Sequence, residues 1–162
     1  GLFHAVGVNE KDDGQYKGPI EFDMVSGCAL MIRREVFERI GQFDERFFCY
    51  FEEADLCFRA RKAGYKVIAV PQSKVFHKNA FSSGGASSPS RIYYSVRNHL
   101  LFLEKNEPSG SLLSRWFKSL LVVANYMIFV VLGSDVPKSK GIRACFAGFK
   151  DYLHSKFGPL KL

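Results

Sequence analysis

Residues 25–77 read VSGCALMIRREVFERIGQFDERFFCYFEEADLCFRARKAGYKVIAVPQSKVFH, and the order of apolar runs, acids and glycines within them decides the fold. Arg34 to Ile40 forms a short helix with Val36 and Ile40 on one face, stopped by Gly41. Glu53 to Ala63 forms a second, with Leu56, Ala60 and Ala63 one turn apart and Gly64 closing it. Tyr65 to Val70 is a nearly continuous apolar run, the pattern of a strand covered on both faces. Upstream, Phe22 to Ile32 is a strand candidate interrupted at Ser26-Gly27, where a glycine lets a ligand or another backbone come close. After Pro71, Lys74 to His77 is expected to be extended, with Val75 and His77 on one face. Strand, helix, acidic loop, helix, strand is the order of a layered α/β unit.

Between the two helices lies Phe43 to Phe51, an aromatic connector apolar enough to be largely buried and to line or underlie a cleft. It delivers Glu52, Glu53 and Asp55 to the first turn of the second helix, where the helix dipole favours ionised carboxylates by roughly 0.3–1 kcal/mol each. An ionised carboxylate is the form required of a general base or a cation ligand. Structural roles stand beside that reading, since Asp55 is placed to pair with Arg59 one turn later and Glu52 to be solvated. His77 ends an extended segment just before a Gly/Ser-rich loop, a position from which imidazole reaches a divalent ion or a phosphate. His4, His99 and His154 have no comparable setting.

Outside this stretch the chain begins with a polar, Gly/Asp-rich entry containing the turn K-D-D-G. Residues 82–90, S-S-G-G-A-S-S-P-S, are low in complexity and are expected to be mobile, as a lid or a linker. Arg91 to Lys105 is an amphipathic helix, stopped by Asn106 and Pro108. Residues 112–133 are strongly apolar, but their uncharged core, 119–134, falls short of the roughly 20 residues of a spanning helix. With Arg115, Trp116 and Lys118 at one end, a helix lying in or against a membrane surface is favoured over a buried or oligomer helix and over a true span. The tail from Gly141 carries Ile142, Phe146, Phe149, Tyr152 and Leu153 at helical spacing with basic residues between and beyond them.

A chain of 162 residues, 47% hydrophobic, builds a core as one domain or one domain with an appendage. Its net charge of +7 suits anionic partners. The basic residues are scattered and form no run of the kind that grips nucleic acid, so nucleic acid is set aside. Cys28, Cys49, Cys57 and Cys145 show no metal-site spacing and are read as reduced core thiols in a cytosolic compartment.

Ser26-Gly27, R-R-E-V-F, G-Q-F-D-E-R-F-F, Y-F-E-E-A-D-L-C-F-R, A-G-Y, V-P and V-F-H, in this order and spacing, resemble the C-terminal half of the catalytic domain of family-2 inverting glycosyltransferases, in their rhamnosyltransferase-like branch. The likeness is strong over residues 20–80 and looser over residues 90–108. It implies a partial GT-A layered sheet in residues 1–108, and the apolar and basic pattern of residues 109–162 reads as C-terminal amphipathic helices that associate with membrane. It implies an enzyme of cell-surface polysaccharide synthesis, using a nucleotide-diphosphate sugar donor, a saccharide or lipid-linked acceptor and a divalent cation, Mg²⁺ or Mn²⁺. Its place would be cytoplasmic, on the inner face of the cell membrane. The second of the family's paired acids is the general base and falls on Glu53, with Glu52 before it and Asp55 as the alternative base. The family's histidine after V-P falls on His77 and implies a metal or diphosphate contact. Gly27 and Ser26 match the segment beside the sugars, and Arg97 and Arg91 are expected to approach the diphosphate. The nucleotide-binding β-α-β region and the D-x-D-type motif of such domains are not visible here, which reads as a fragment needing about 100 further residues ahead of Gly1. A competing reading is a non-catalytic binding or assembly module at a membrane surface.

Overall fold

The computed structural model describes residues 6–7, 10–77, 88–106 and 111–160. It is a mixed α/β structure, mostly helical, with one small antiparallel sheet. Strand β1 (Ile20–Glu21) and the helices α1 (Arg34–Ile40) and α2 (Glu52–Lys62) precede β2 (Ile68–Ala69). Three longer helices follow: α3 (Pro89–Asn106), α4 (Leu112–Leu132) and α5 (Lys138–Leu153).

The helices follow the sequence pattern closely, whereas the strands do not. Ile20 pairs with Ala69 and Glu21 with Ile68, and Phe22 adds one more backbone bond to the Val67 carbonyl at 2.9 Å. The strand expected over Phe22–Ile32 is absent. Ser26 instead caps a 3-10 turn at Gly27–Ala29, its hydroxyl accepting from the Cys28 amide. That local bond offers the backbone an alternative to a ladder. The strand expected over Tyr65–Val70 shrinks to β2, and its faces are not both covered, since Val67 is buried while Ile68 and Val70 are exposed. Where a GT-A layered sheet is expected, the described residues form a single two-residue ladder. Lys74 to His77 joins no strand and lies exposed. Of the low-complexity segment, residues 82–87 lie outside the described residues, and Ser88 caps the start of α3 by accepting from the Arg91 amide.

The main core belongs to the last three helices. Ile92, Val96 and Leu100 of α3 meet Val123 and Val130 of α4 and Ala144 and Cys145 of α5, so the chain before and after residue 108 packs as one unit. A β-carbon at Gly148 would stand 2.5 Å from the Tyr93 carbonyl oxygen, and this missing side chain lets α5 cross α3 closely. Ile142, Phe149 and Tyr152 of the tail pack on this core, leaving Phe146 and Leu153 exposed. A second core, of Phe47, Ala54, Leu101 and Phe102, joins the connector and α2 to α3. All four cysteines are free, but only Cys57 and Cys145 are buried, whereas Cys28 is exposed. Helix α4 is long and apolar enough to cross a membrane, by length and composition. Only 11% of its apolar window is buried, so α4 gives one stripe, around Val123 and Val130, to the core and leaves most of its surface open. Trp116, Phe117, Leu120, Ile128 and Leu132 are exposed on it.

Candidate functional site

The connector leading into α2 is the most constrained backbone described. Phe48, Tyr50 and Phe51 have φ of 63°, 67° and 73°, a left-handed conformation that costs bulky residues on the order of 1–3 kcal/mol each and persists only when surroundings impose it. Helix α3 imposes it. The Asn98 amide nitrogen lies 2.8, 2.7 and 2.8 Å from the carbonyl oxygens of Phe47, Cys49 and Tyr50. Its amide oxygen accepts from Arg97 Nε at 3.0 Å, which fixes the orientation of the group. Arg97 itself donates to the carbonyls of Arg46, Phe47 and Gly158 at 3.2, 3.1 and 2.8 Å, with its guanidinium 4.9 Å from the Tyr94 ring centre. Phe47, fully buried, plugs the middle of the connector.

This clamp ends at Phe51, which starts α2 without a side-chain cap. Glu52 and Glu53 follow at once, each with one carboxylate oxygen buried and lacking any hydrogen-bond partner. Burial first, and then the neighbouring Glu53 charge, pushes the Glu52 carboxyl above its ordinary pKa. Glu53 opens onto a groove of about 730 Å³ between the start of α2, α3 and α4. Its other lining residues include Tyr50, Phe51, Arg91, Ser95 and His99 on one wall and Lys118, Asn125 and Tyr126 on the α4 wall. Gly27 packs directly on Glu53, for a β-carbon there would lie 3.5 Å from that of Glu53. Ser26 adjoins it as the cap of the turn.

The site residues expected from sequence therefore divide. Glu53, Gly27, Ser26 and Arg91 come together at or beside the groove, with Arg91 5.4 Å over the Tyr50 ring. Asp55 faces the other way. It is completely buried and meets Arg59 at 2.8 Å, Lys105 at 2.9 Å and the Asn106 amide at 3.0 Å. This is the structural pairing with Arg59, enlarged by α3. Arg97, expected near a diphosphate, is 1% exposed and holds backbone carbonyls instead. His77 is exposed and is not among the residues lining the groove. Among the described residues no three or more His, Cys, Asp or Glu side chains group together as a metal site.

Sequence reasoning passed over Asn98 and His99. Their signal was present as Arg97-Asn98-His99, three consecutive polar residues between Val96 and Leu100 in an apolar helix. Burial of such groups requires partners. His99 stacks on Phe51 at 5.0 Å and meets Tyr126 edge-on at 6.0 Å. Its Nδ1 is buried without a partner, and burial lowers its pKa to about 4.

Over 60 residues the chain is 45% identical to the N-acetylglucosaminyl-diphospho-decaprenol L-rhamnosyltransferase of Mycobacterium tuberculosis, covering 37% of this chain and 20% of that protein. Its relatives include glycosyltransferases. The dTDP-rhamnosyl transferase RfbF of Shigella flexneri is 33% identical over 95 residues, 54% of this chain and 32% of that protein. The low-salt glycan biosynthesis hexosyltransferase Agl10 of Haloferax volcanii is 29% identical over 100 residues, 62% and 33% of the two. The chain thus spans from a fifth to a third of the length of these curated relatives, and the likeness supports a glycosyltransferase function. No family model matches the chain, and no solved structure matches it.

Proposed function

We propose that this chain supplies the acceptor-side part of an inverting, family-2 glycosyltransferase of GT-A type, acting in cell-surface polysaccharide synthesis. The observation that carries this reading is Glu53, whose buried carboxylate oxygen has no partner and whose side chain opens onto a groove against Gly27. A buried acceptor atom left open in this way is the geometry of a base awaiting a hydroxyl proton. The acceptor hydroxyl oxygen attacks the anomeric carbon of a nucleotide-diphosphate sugar while Glu53 takes its proton. The bond from that carbon to the diphosphate oxygen breaks, its electron pair leaves with the nucleoside diphosphate, and one displacement inverts the centre. Glu52, pushed above its ordinary pKa by burial and by the Glu53 charge, stands beside it in the first turn of α2. Arg91 is the cation of this chain best placed for the leaving group.

A divalent cation, Mg²⁺ or Mn²⁺, belongs to this reading with His77 as its ligand candidate, and it would offset diphosphate charge. The acceptor is a saccharide, carried on a lipid in keeping with the name of the Mycobacterium tuberculosis relative. The exposed apolar face of α4, with Arg115 and Lys118 near its start, supports a position on the inner face of the cell membrane. The same face would serve a non-catalytic assembly module. Absence of nucleotide-sugar binding by the full-length protein would favour that alternative.

The decisive experiment is Glu53→Gln in the full-length transferase, assayed for sugar transfer with dTDP-rhamnose as donor. Loss of the base is expected to lower kcat by about 10²–10⁴-fold with the fold intact. Near-normal turnover would overturn the assignment.

A further inference from the structure

Three buried side-chain atoms among the described residues lack a hydrogen-bond partner: Glu52 Oε2, Glu53 Oε2 and His99 Nδ1. Glu52 and Glu53 directly follow Phe51, whose ring stacks on His99, and Glu53 and His99 both line the groove. Open polar atoms concentrated in this way mark a place that a polar ligand completes.

His99 is held there in a fixed attitude. Phe51 covers one face of its ring at 5.0 Å and 24°, and Tyr126 abuts it at 6.0 Å and 86°. Packing alone would be served by a third phenyl ring, whereas an imidazole brings a nitrogen that is buried and left open. The ring is neutral at ordinary pH because burial disfavours its cation. A neutral imidazole presents one donor and one acceptor, matching a hydroxyl, which also does both. A cation is the poorer match, since no three-ligand group lies here.

We propose that His99 is a second acceptor-binding residue, hydrogen-bonding a saccharide hydroxyl adjacent to the one whose proton Glu53 removes. The proposal rests on the reading of Glu53 as base. It adds a specificity determinant on α3, facing the wall of the groove formed by α4.

The test compares His99→Phe, which keeps ring and stacking, with His99→Gln, which restores a hydrogen-bonding group, both in the full-length transferase. With octyl N-acetylglucosaminide as acceptor and dTDP-rhamnose as donor, His99→Phe should raise the acceptor KM about tenfold. The donor KM and kcat should stay within about twofold, and His99→Gln should recover part of the loss. Independently, addition of the octyl glycoside without donor should shift the ¹⁵N resonances of the His99 ring. An unchanged acceptor KM in His99→Phe would overturn the proposal, as would a ring that does not respond to the glycoside. Should Glu53→Gln turn over normally while His99→Phe weakens acceptor binding, the base assignment fails and the binding residue stands.

Discussion

Residues 20–77 and residues 88–160 are packed to very different standards. The later region interlocks three helices around buried Val96, Leu100, Val130 and Cys145. The earlier region has a single two-residue ladder and leaves Met31 96% and Phe76 100% exposed. A two-stranded sheet alone is marginal in water, so the earlier region draws its order from elsewhere. The source is α3, whose Arg97, Asn98, Lys105 and Asn106 reach across to the connector and to Asp55. The lesson is that the acids at the start of α2 are positioned by a helix more than forty residues downstream.

The comparison breaks if that cross-bracing proves dispensable. Asp55→Asn should cost the most, about 3 kcal/mol, because the half-buried cations of Arg59 and Lys105 lose the fully buried carboxylate they share. Chemical denaturation of the variant reads this directly. Asn98→Ala should cost about 2 kcal/mol by leaving the carbonyls of Cys49 and Tyr50 without their donor and that of Phe47 with Arg97 alone. Its transfer activity should fall further than its stability, since the left-handed turn that aims Glu53 is then free to relax.

Acid sharpens the same contrast. The pKa of His99, about 4 in the folded chain against an ordinary 6.5, means that the unfolded chain takes up the proton first. The stability linked to neutral His99 is complete above about pH 6.5 and is lost as pH falls toward 4. Between pH 7.5 and 5 the loss should be about 2 kcal/mol, read as the difference between the denaturation free energies of the wild type and His99→Phe. That subtraction removes the opposite contribution of Glu52, whose raised pKa favours its protonated form. Phe76→Ser should be the smallest change, within about 0.5 kcal/mol, because the ring touches solvent only. A cost above about 1 kcal/mol would show that the earlier region packs on something in solution and would narrow the difference between the two regions.

The helices were legible because their evidence is local. Val36 and Ile40 share a face, Gly41 stops α1, and the acids of α2 mark its first turn. Phe22–Ile32 and Tyr65–Val70 read as strands because apolar runs record burial without naming a partner. Ladders need a neighbour, and the described residues provide only β1 against β2. Of the candidate site, the helix start at Glu53 and the turn at Gly27 were legible as positions, and the structure sets the two against each other. Arg97 was visible as a cation but not as a clamp, since a sequence gives the donor without showing which carbonyl stands opposite. Asp55 carried both of its readings until burial and Lys105 separated them.

Asn98 and Arg97 grip the connector by its carbonyl oxygens and not by its side chains. A carbonyl is the same in every residue, so this grip does not read the letters at Phe47, Cys49 and Tyr50. The shape of this loop is written in α3. An engineer redesigning the approach to Glu53 should therefore vary Cys49 first and leave the Arg-Asn pair untouched.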